Sequence, residues 1–223
     1  MNLYQKITSK IKREVQKTQI YSNNLKNYSK KYNKIHLGCG HNILNGWLNT
    51  DLFPSYENVY HVDALKTLNF NENQFDFCFN EHMIEHIEIN EADILINEIY
   101  KILKPGGVLR LSTPNFEFLV KIYQNTIGDI GKEYIKWSKE NFLPQHYQEE
   151  AIYVVNNFVR DWGHKFIHNY SSIKKLLENA GFTKININEI SKSNYNDLQN
   201  IDNIKRMPRK FLALESIIVE GVK

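Results

Sequence analysis

Ile35-His36-Leu37-Gly38-Cys39-Gly40 is a short apolar strand that runs straight into a glycine turn. A second short run follows it and ends in an acid, Trp47-Leu48-Asn49-Thr50-Asp51. A strand, a turn that only glycine tolerates well and a carboxylate at the tip of the next strand together make a nucleotide pocket. The rest of the chain reads as walls and a lid around it.

The strand pattern continues outward from this point. Strands are expected near 34–38, 47–51, 58–62, 75–80 and 107–113, with two more at about 182–190 and 211–220. Phe75-Asp76-Phe77-Cys78-Phe79 is dense in aromatics, as a central strand would be. Between the fourth and fifth strands, Ile94, Leu95, Ile99, Ile102 and Leu103 mark one helix face, and Pro105-Gly106-Gly107 ends it. Strands alternating with helices imply an α/β fold with a parallel sheet and right-handed crossovers.

Two segments stand outside that rhythm. Residues 1–33 are polar and Lys-rich. Ile7, Ile11 and Val15 recur every four residues there, which suggests an amphipathic helix, either packed on the domain edge or capping the ligand. Residues 115–170 are rich in aromatics and histidine, among them Tyr123, Tyr134, Trp137, His146, Tyr147, Trp162, His164 and His168. They read as a helical insertion and as the place for an acceptor site. Its aromatics are expected to serve more as core than as a stacking platform. Ser171 is expected to cap the helix that ends at Ala180-Gly181.

Composition narrows the class. A length of 223 residues fits one large domain, and 42% hydrophobic residues are enough to build its core. A net charge of +3 and the lack of a basic stripe speak against nucleic acid as a partner. No apolar stretch is long enough for a membrane span. The two cysteines, Cys39 and Cys78, form no CxxC pair, so a reduced, cytoplasmic protein is expected.

The glycine turn is selective about its ligand. A dinucleotide site wants a third glycine, where this chain has Ile43, and a P-loop would need Gly-Lys-Ser/Thr. The turn offers room for a ligand without cradling a phosphate. S-adenosylmethionine, with adenosine, a sulfonium and an amino-acid tail, fits that description. Gly38, Cys39 and Gly40 would lie under it. Asp51, followed by Leu52, would accept from the ribose hydroxyls. Asp63-Ala64 would meet the adenine edge, and Asn80, Glu81 and His82 the methionyl part.

These segments resemble the class I S-adenosylmethionine-dependent methyltransferases, of the small bacterial type. The resemblance is carried by IHLGCG (35–40), GWLNTDL (46–52), the Asp63-Ala64 pair, FDFCFNEHMIEHI (75–87) and LKPGGVLRLSTPN (103–115). WGHKFIHNYSSIKKLLENAGF (162–182) and ALESIIVEGVK (213–223) extend it over most of 34–223. It implies a Rossmann-like seven-stranded sheet of order 3-2-1-4-5-7-6, with the last strand antiparallel. It also implies methyl transfer, here to an oxygen of a small polar acceptor such as a sugar of a bacterial surface polysaccharide. Nitrogen, phosphate or carboxylate acceptors stay open, as does a regulator that binds the cofactor without turnover. Two departures stand out. His36 lies near the place of the family's usual acidic residue, and about ten residues between the first two strands leave little room for the usual first helix.

A hydroxyl acceptor must lose a proton, and histidine suits that work at neutral pH. His86 and His164 are the candidate catalytic residues, with Glu85, Asn115 and His146 expected around the acceptor. His82-Met83-Ile84-Glu85-His86 also spells HxxEH, an inverted zinc-hydrolase signature. That motif belongs on a long helix, whereas here it follows a strand tip, so no metal is expected. Oligomeric state is not legible.

Overall fold

The computed structural model describes residue 21 and residues 23–223. The helical spacing of Ile7, Ile11 and Val15 lies outside the described residues.

The strands are β1 (Lys34–Leu37), β2 (Leu48–Asp51), β3 (Val59–His61), β4 (Phe75–Glu81), β5 (Leu103–Pro114), β6 (Thr183–Asn188) and β7 (Ser216–Val222). The helices are α1 (Ile89–Ile102), α2 (Phe116–Tyr123), α3 (Asp129–Phe142), α4 (Ala151–Arg160), α5 (Tyr170–Ala180) and α6 (Arg209–Glu215). All seven strands form one sheet of order β3-β2-β1-β4-β5-β7-β6. β1 to β5 run parallel to one another, and β7 is antiparallel to both β5 and β6. The order reverses between β1 and β4, and open sheets bind ligands at the carboxyl ends flanking such a switch.

The two faces of the sheet are covered differently. On one, Ile35, Leu37, Cys78, Leu109 and Leu111 pack under α1 and α5, with Leu25 of the helical residues 23–29 joining them. On the other, Trp47, Phe79 and Val108 pack beneath Leu198 and Ile201 of the long link between β6 and α6. Residues 38–47 contain turns and no helix, as the short spacing required.

A buried arginine ties that link down. Arg110 of β5 is wholly buried; its guanidinium donates twice to Asp202, at 3.1 and 2.6 Å, once to Glu220 at 2.6 Å and once to the Lys192 carbonyl. A planar five-donor group serving two carboxylates and a carbonyl suits such a joint.

The insertion has its own core. Phe118, Leu119 and Ile122 of α2, Tyr134 of α3, and Val154 and Phe158 of α4 pack with Phe211 of α6. Trp137, Tyr147 and Tyr153 pack against this core, while Phe116, Tyr123, Phe142, Trp162 and Phe166 stay exposed.

Three expectations are corrected. Residues 211–215 are helical, and the last strand begins at Ser216. Phe211, Leu212 and Glu215 are buried at helical spacing, which a strand could not achieve on one face. The cap of α5 is Asn169, not Ser171: Asn169 accepts from the Ser172 backbone while Ser172 bonds back to it, a reciprocal cap. β5 begins at Leu103, and the Pro-Gly-Gly segment lies within it as an irregularity where the pairing register with β4 shifts.

Candidate functional site

The carboxyl tips of β1 and β2 are knit by their own turns. Gly38 has φ +67°, and a Cβ there would come within 2.8 Å of Met83 Cγ. Only glycine serves at that position, for reasons of both conformation and space. Gly40 also has a positive φ, +51°, yet no atom lies within 4 Å of where its Cβ would be. The Cys39 backbone donates to Thr50, and burial pushes the Cys39 thiol up to about 12. Asp51 accepts from the Gly40 N–H at 2.9 Å and from the Phe53 N–H at 2.8 Å. Each of its oxygens keeps a second lone pair. Leu52 and Phe53 are exposed beside it.

The next two strand tips differ in how fully they are used. Asp63 accepts from the Leu65 N–H and from Lys66 at 2.8 Å; the Lys66 hydrogen bond holds its carboxyl below the usual range. It borders a small cavity of about 140 Å³ with Tyr21, Leu25 and Phe70, while Ala64 packs on the main core. Asn80 donates to the Leu37 carbonyl, linking β4 to β1, but its Oδ1 is buried without a partner among the described residues. Glu81 accepts from Asn42 and from the Asn203 backbone, so it holds two loops together; burial raises its carboxyl. An open cradle at Gly40, a carboxylate with spare lone pairs and an orphaned buried acceptor suit a ligand bearing a diol and an ammonium group. Adenosylmethionine is such a ligand, so the residues fit it.

Past Glu81 the chain turns sharply. His82 takes φ +47°, Met83 seats against Gly38, and Ile84–His86 form one 3-10 turn. The HxxEH residues therefore do not share a long helix, and the zinc-hydrolase geometry is not formed. His82 Nδ1 lies 3.1 Å from Glu85 Oε1 and its Nε2 3.3 Å from Ser216 Oγ. Burial lowers the His82 pKa, and its two ring nitrogens bridge the carboxylate and the serine. The other Glu85 oxygen accepts from Thr113 at 3.1 Å. Burial opposes charge on Glu85, but the His82 contacts outweigh it and hold the carboxyl below its ordinary value.

His164 arrives from the far side. Trp162 and Gly163 have φ of +58° and +77°, a left-handed pair that reverses the chain after α4. The Lys165 and Phe166 N–H groups then both donate to the Glu85 carbonyl, pinning the returning segment to the β4 tip. His164 and His86 meet edge to face, with ring centroids 4.9 Å apart. His164 Nδ1 lies 2.6 Å from the Phe158 carbonyl, which can only accept, so Nδ1 carries the proton and the Nε2 lone pair is open. Burial lowers the His164 pKa.

These groups floor a cavity of about 310 Å³. His82, Glu85, His86, His164, Arg206 and Glu215 supply polar atoms, and Phe142, Phe158 and Trp162 form apolar wall. Tyr134 donates to Glu215, which also accepts from Arg206 at 3.1 Å; burial raises both the Glu215 and the Tyr134 pKa.

Of the expected acceptor-side residues, His86, His164 and Glu85 come together. Asn115 does not line the cavity; it caps α2 by accepting from Glu117. His146 is exposed and packs edge-on to Tyr147. His82, expected beside the cofactor, faces the cavity. Arg206, Met207 and Glu215 were not foreseen as lining residues. They lie more than a hundred residues from His86, and no local pattern links them to it.

The likeness to known proteins agrees with this geometry. Residues 35–111 match the family model for a methyltransferase domain. The fold resembles a SAM-dependent methyltransferase from Archaeoglobus fulgidus, at 15% identity and TM-score 0.51, covering 92% of this chain and 94% of that one. A second likeness is to an S-adenosylmethionine-dependent methyltransferase from Mesorhizobium loti, at 16% identity and TM-score 0.47, over 86% and 91% of the two chains. A third is to phosphoethanolamine N-methyltransferase 2 of Haemonchus contortus in complex with S-adenosyl-L-methionine, at 16% identity and TM-score 0.45, over 86% and 48%. At such identities the structural likeness is one of fold. No curated protein matches the sequence. Among the described residues, no helix is long and apolar enough to cross a membrane.

Proposed function

We propose that this chain, which has the class I S-adenosylmethionine-dependent methyltransferase fold and a methyltransferase domain over residues 35–111, methylates an oxygen of a small polar acceptor held in the cavity at the β4 tip. The observation that carries this reading is the His86–His164 pair in the lining of that cavity, with His164 Nδ1 held on the Phe158 carbonyl so that Nε2 keeps its lone pair.

Gly38, Cys39 and Gly40 bed the cofactor, Asp51 and Leu52 meet its ribose, Asp63 and Ala64 its adenine, and Asn80 the methionyl end. Bound there, S-adenosylmethionine supplies a methyl carbon made electrophilic by the sulfonium. The chain's own work is alignment of the acceptor, which is worth several kcal/mol of barrier, and removal of its proton. The His86–His164 pair faces that proton. Glu85, held by His82 and Thr113, fixes the charge beneath it.

A single sugar ring of a surface polysaccharide precursor suits the cavity. About 310 Å³ is near the lower end for small-ligand sites. The lining combines polar groups with the aromatics Trp162, Phe142 and Phe158, the two kinds of contact that a sugar's polar edge and apolar face require. Phosphate or carboxylate acceptors are less suited, because Arg206, the guanidinium of the lining, is already paired with Glu215.

Asp51→Ala should weaken S-adenosylmethionine binding at least tenfold by calorimetry; unchanged affinity would remove the pocket assignment. His86→Ala and His164→Ala should leave that affinity intact and cut turnover by about 10²–10⁴, the usual worth of a proton-transfer group. Tight cofactor binding with no turnover over a panel of sugars, amines and acids would favour a regulator instead.

A further inference from the structure

We propose that Glu85, His86 and His164 form a site for a divalent transition-metal ion, which takes the acceptor's hydroxyl oxygen as a further ligand. The proposal rests on the acceptor cavity described above, departs from the expectation of no metal, and makes the two histidines ligands in place of a base.

One carboxylate and two imidazoles each offer a ligand atom here, and the three lie within 4.8 Å of one another. Metal bonds of about 2.0–2.2 Å need a somewhat tighter cluster. Among the described residues the His86 ring makes no hydrogen bond, so its rotation can close the gap. A set of two imidazoles and one carboxylate suits Zn²⁺, Mn²⁺, Fe²⁺ or Co²⁺.

The supporting contacts are those a metal site requires. A ligating histidine commonly gives its other ring N–H to a carbonyl, and ligating carboxylates are themselves hydrogen-bonded. His164 Nδ1 is on the Phe158 carbonyl, leaving Nε2 free. Glu85 is held through one oxygen by His82 and through the other by Thr113. Both oxygens keep a lone pair. His82 has partners at both nitrogens and is a support rather than a ligand.

Charge gives an independent argument. Glu85 is 1% exposed, and its ion-pair partner within 4.0 Å among the described residues is His82, with no lysine or arginine there. Burial by itself makes such a carboxylate costly, and here hydrogen-bonding neighbours rather than a full cation offset that cost. A bound dication would remove that cost, and the cavity leaves coordination positions open toward the acceptor.

Metal ligation acidifies a bound hydroxyl. The O–H proton passes to water at the cavity mouth, the oxygen's electron pair forms the bond to the methyl carbon, and the carbon–sulfur pair returns to sulfur. No external oxidant or reductant is needed.

The test uses the full chain stripped with a chelator, then titrated with Co²⁺ and Zn²⁺. One equivalent of Co²⁺ should bind with visible absorption bands and be displaced by Zn²⁺. His86→Ala and His164→Ala should each weaken binding at least tenfold while circular dichroism stays native. Because Glu85 is buried, Glu85→Gln is read only alongside these two. Absence of stoichiometric binding, or binding unchanged in both histidine variants, overturns the site. S-adenosylmethionine affinity is measured on the same stripped samples. If it is intact, loss of the metal site leaves the methyltransferase reading standing with a histidine base. If it is absent, that reading itself fails.

Discussion

At Gly38 a single hydrogen atom decides whether the turn can form. Its φ of +67° and the 2.8 Å that would separate a Cβ from Met83 both exclude a side chain. Gly38→Ala should cost about 1–3 kcal/mol through backbone strain. It should also push Met83, and with it His82, away from the site. Thermal unfolding and cofactor calorimetry on the one variant check both effects. His36, in the adjoining strand, is wholly buried against Phe79, with ring centroids 4.6 Å apart. Burial pushes its pKa down to about 3. The folded protein therefore stays unprotonated at His36 while the unfolded chain takes up a proton below about pH 6.5. Stability that is full above that value should fall as pH drops toward 3, by up to about 1.4 kcal/mol per pH unit. His36→Leu should remove this part of the slope in urea titrations between pH 7 and 4. Glycine at 38 was legible from the motif; the burial of His36 was not, because its face of β1 depends on what covers it.

Among the elements, the link from β6 to α6 is the one the sequence describes least well. It reads as a polar connection, yet its Leu198 and Ile201 seal one face of the sheet and its Arg206 enters the cavity. Arg110 joins it to the sheet through Asp202. Arg110→Ala would strand Asp202 and Glu220 as buried carboxylates, at a cost of about 3–5 kcal/mol. Denaturant unfolding should show that loss, and a normal midpoint would mean the link is held by its apolar residues alone. The strands, by contrast, are legible to within a few residues, since period-2 and fully apolar runs are local signals. α6 reads as the start of the last strand because Phe211 to Ile218 is one apolar-rich run, and only burial separates its helical half from its extended half.

For the whole molecule, one sheet presents two sites from adjacent strand tips. The glycine turn and Asp51 belong to β1 and β2; Glu85 and His86 follow β4; the insertion carries His164 over them. The glycine turn and the carboxylate at the next strand tip were legible because they follow one another along the chain at motif spacing. So was the fold, since β1 to β5 alternate with turns or helices that permit little besides a parallel sheet. The sequence also nominated His86 and His164 as separate candidates for the base, from residue type and place along the chain. Their meeting was a tertiary event. It depends on a left-handed turn at Trp162-Gly163 and two backbone hydrogen bonds to the Glu85 carbonyl. The same holds for Tyr134 and for the Arg206–Glu215 pair, which reach the cavity from two segments distant from His86. Local pattern thus determined the sheet and the glycine turn with Asp51 at the next strand tip, because strand periodicity and turn chemistry act between near neighbours. The acceptor cavity was decided only by packing, because its walls are drawn from segments whose closeness no short-range rule encodes.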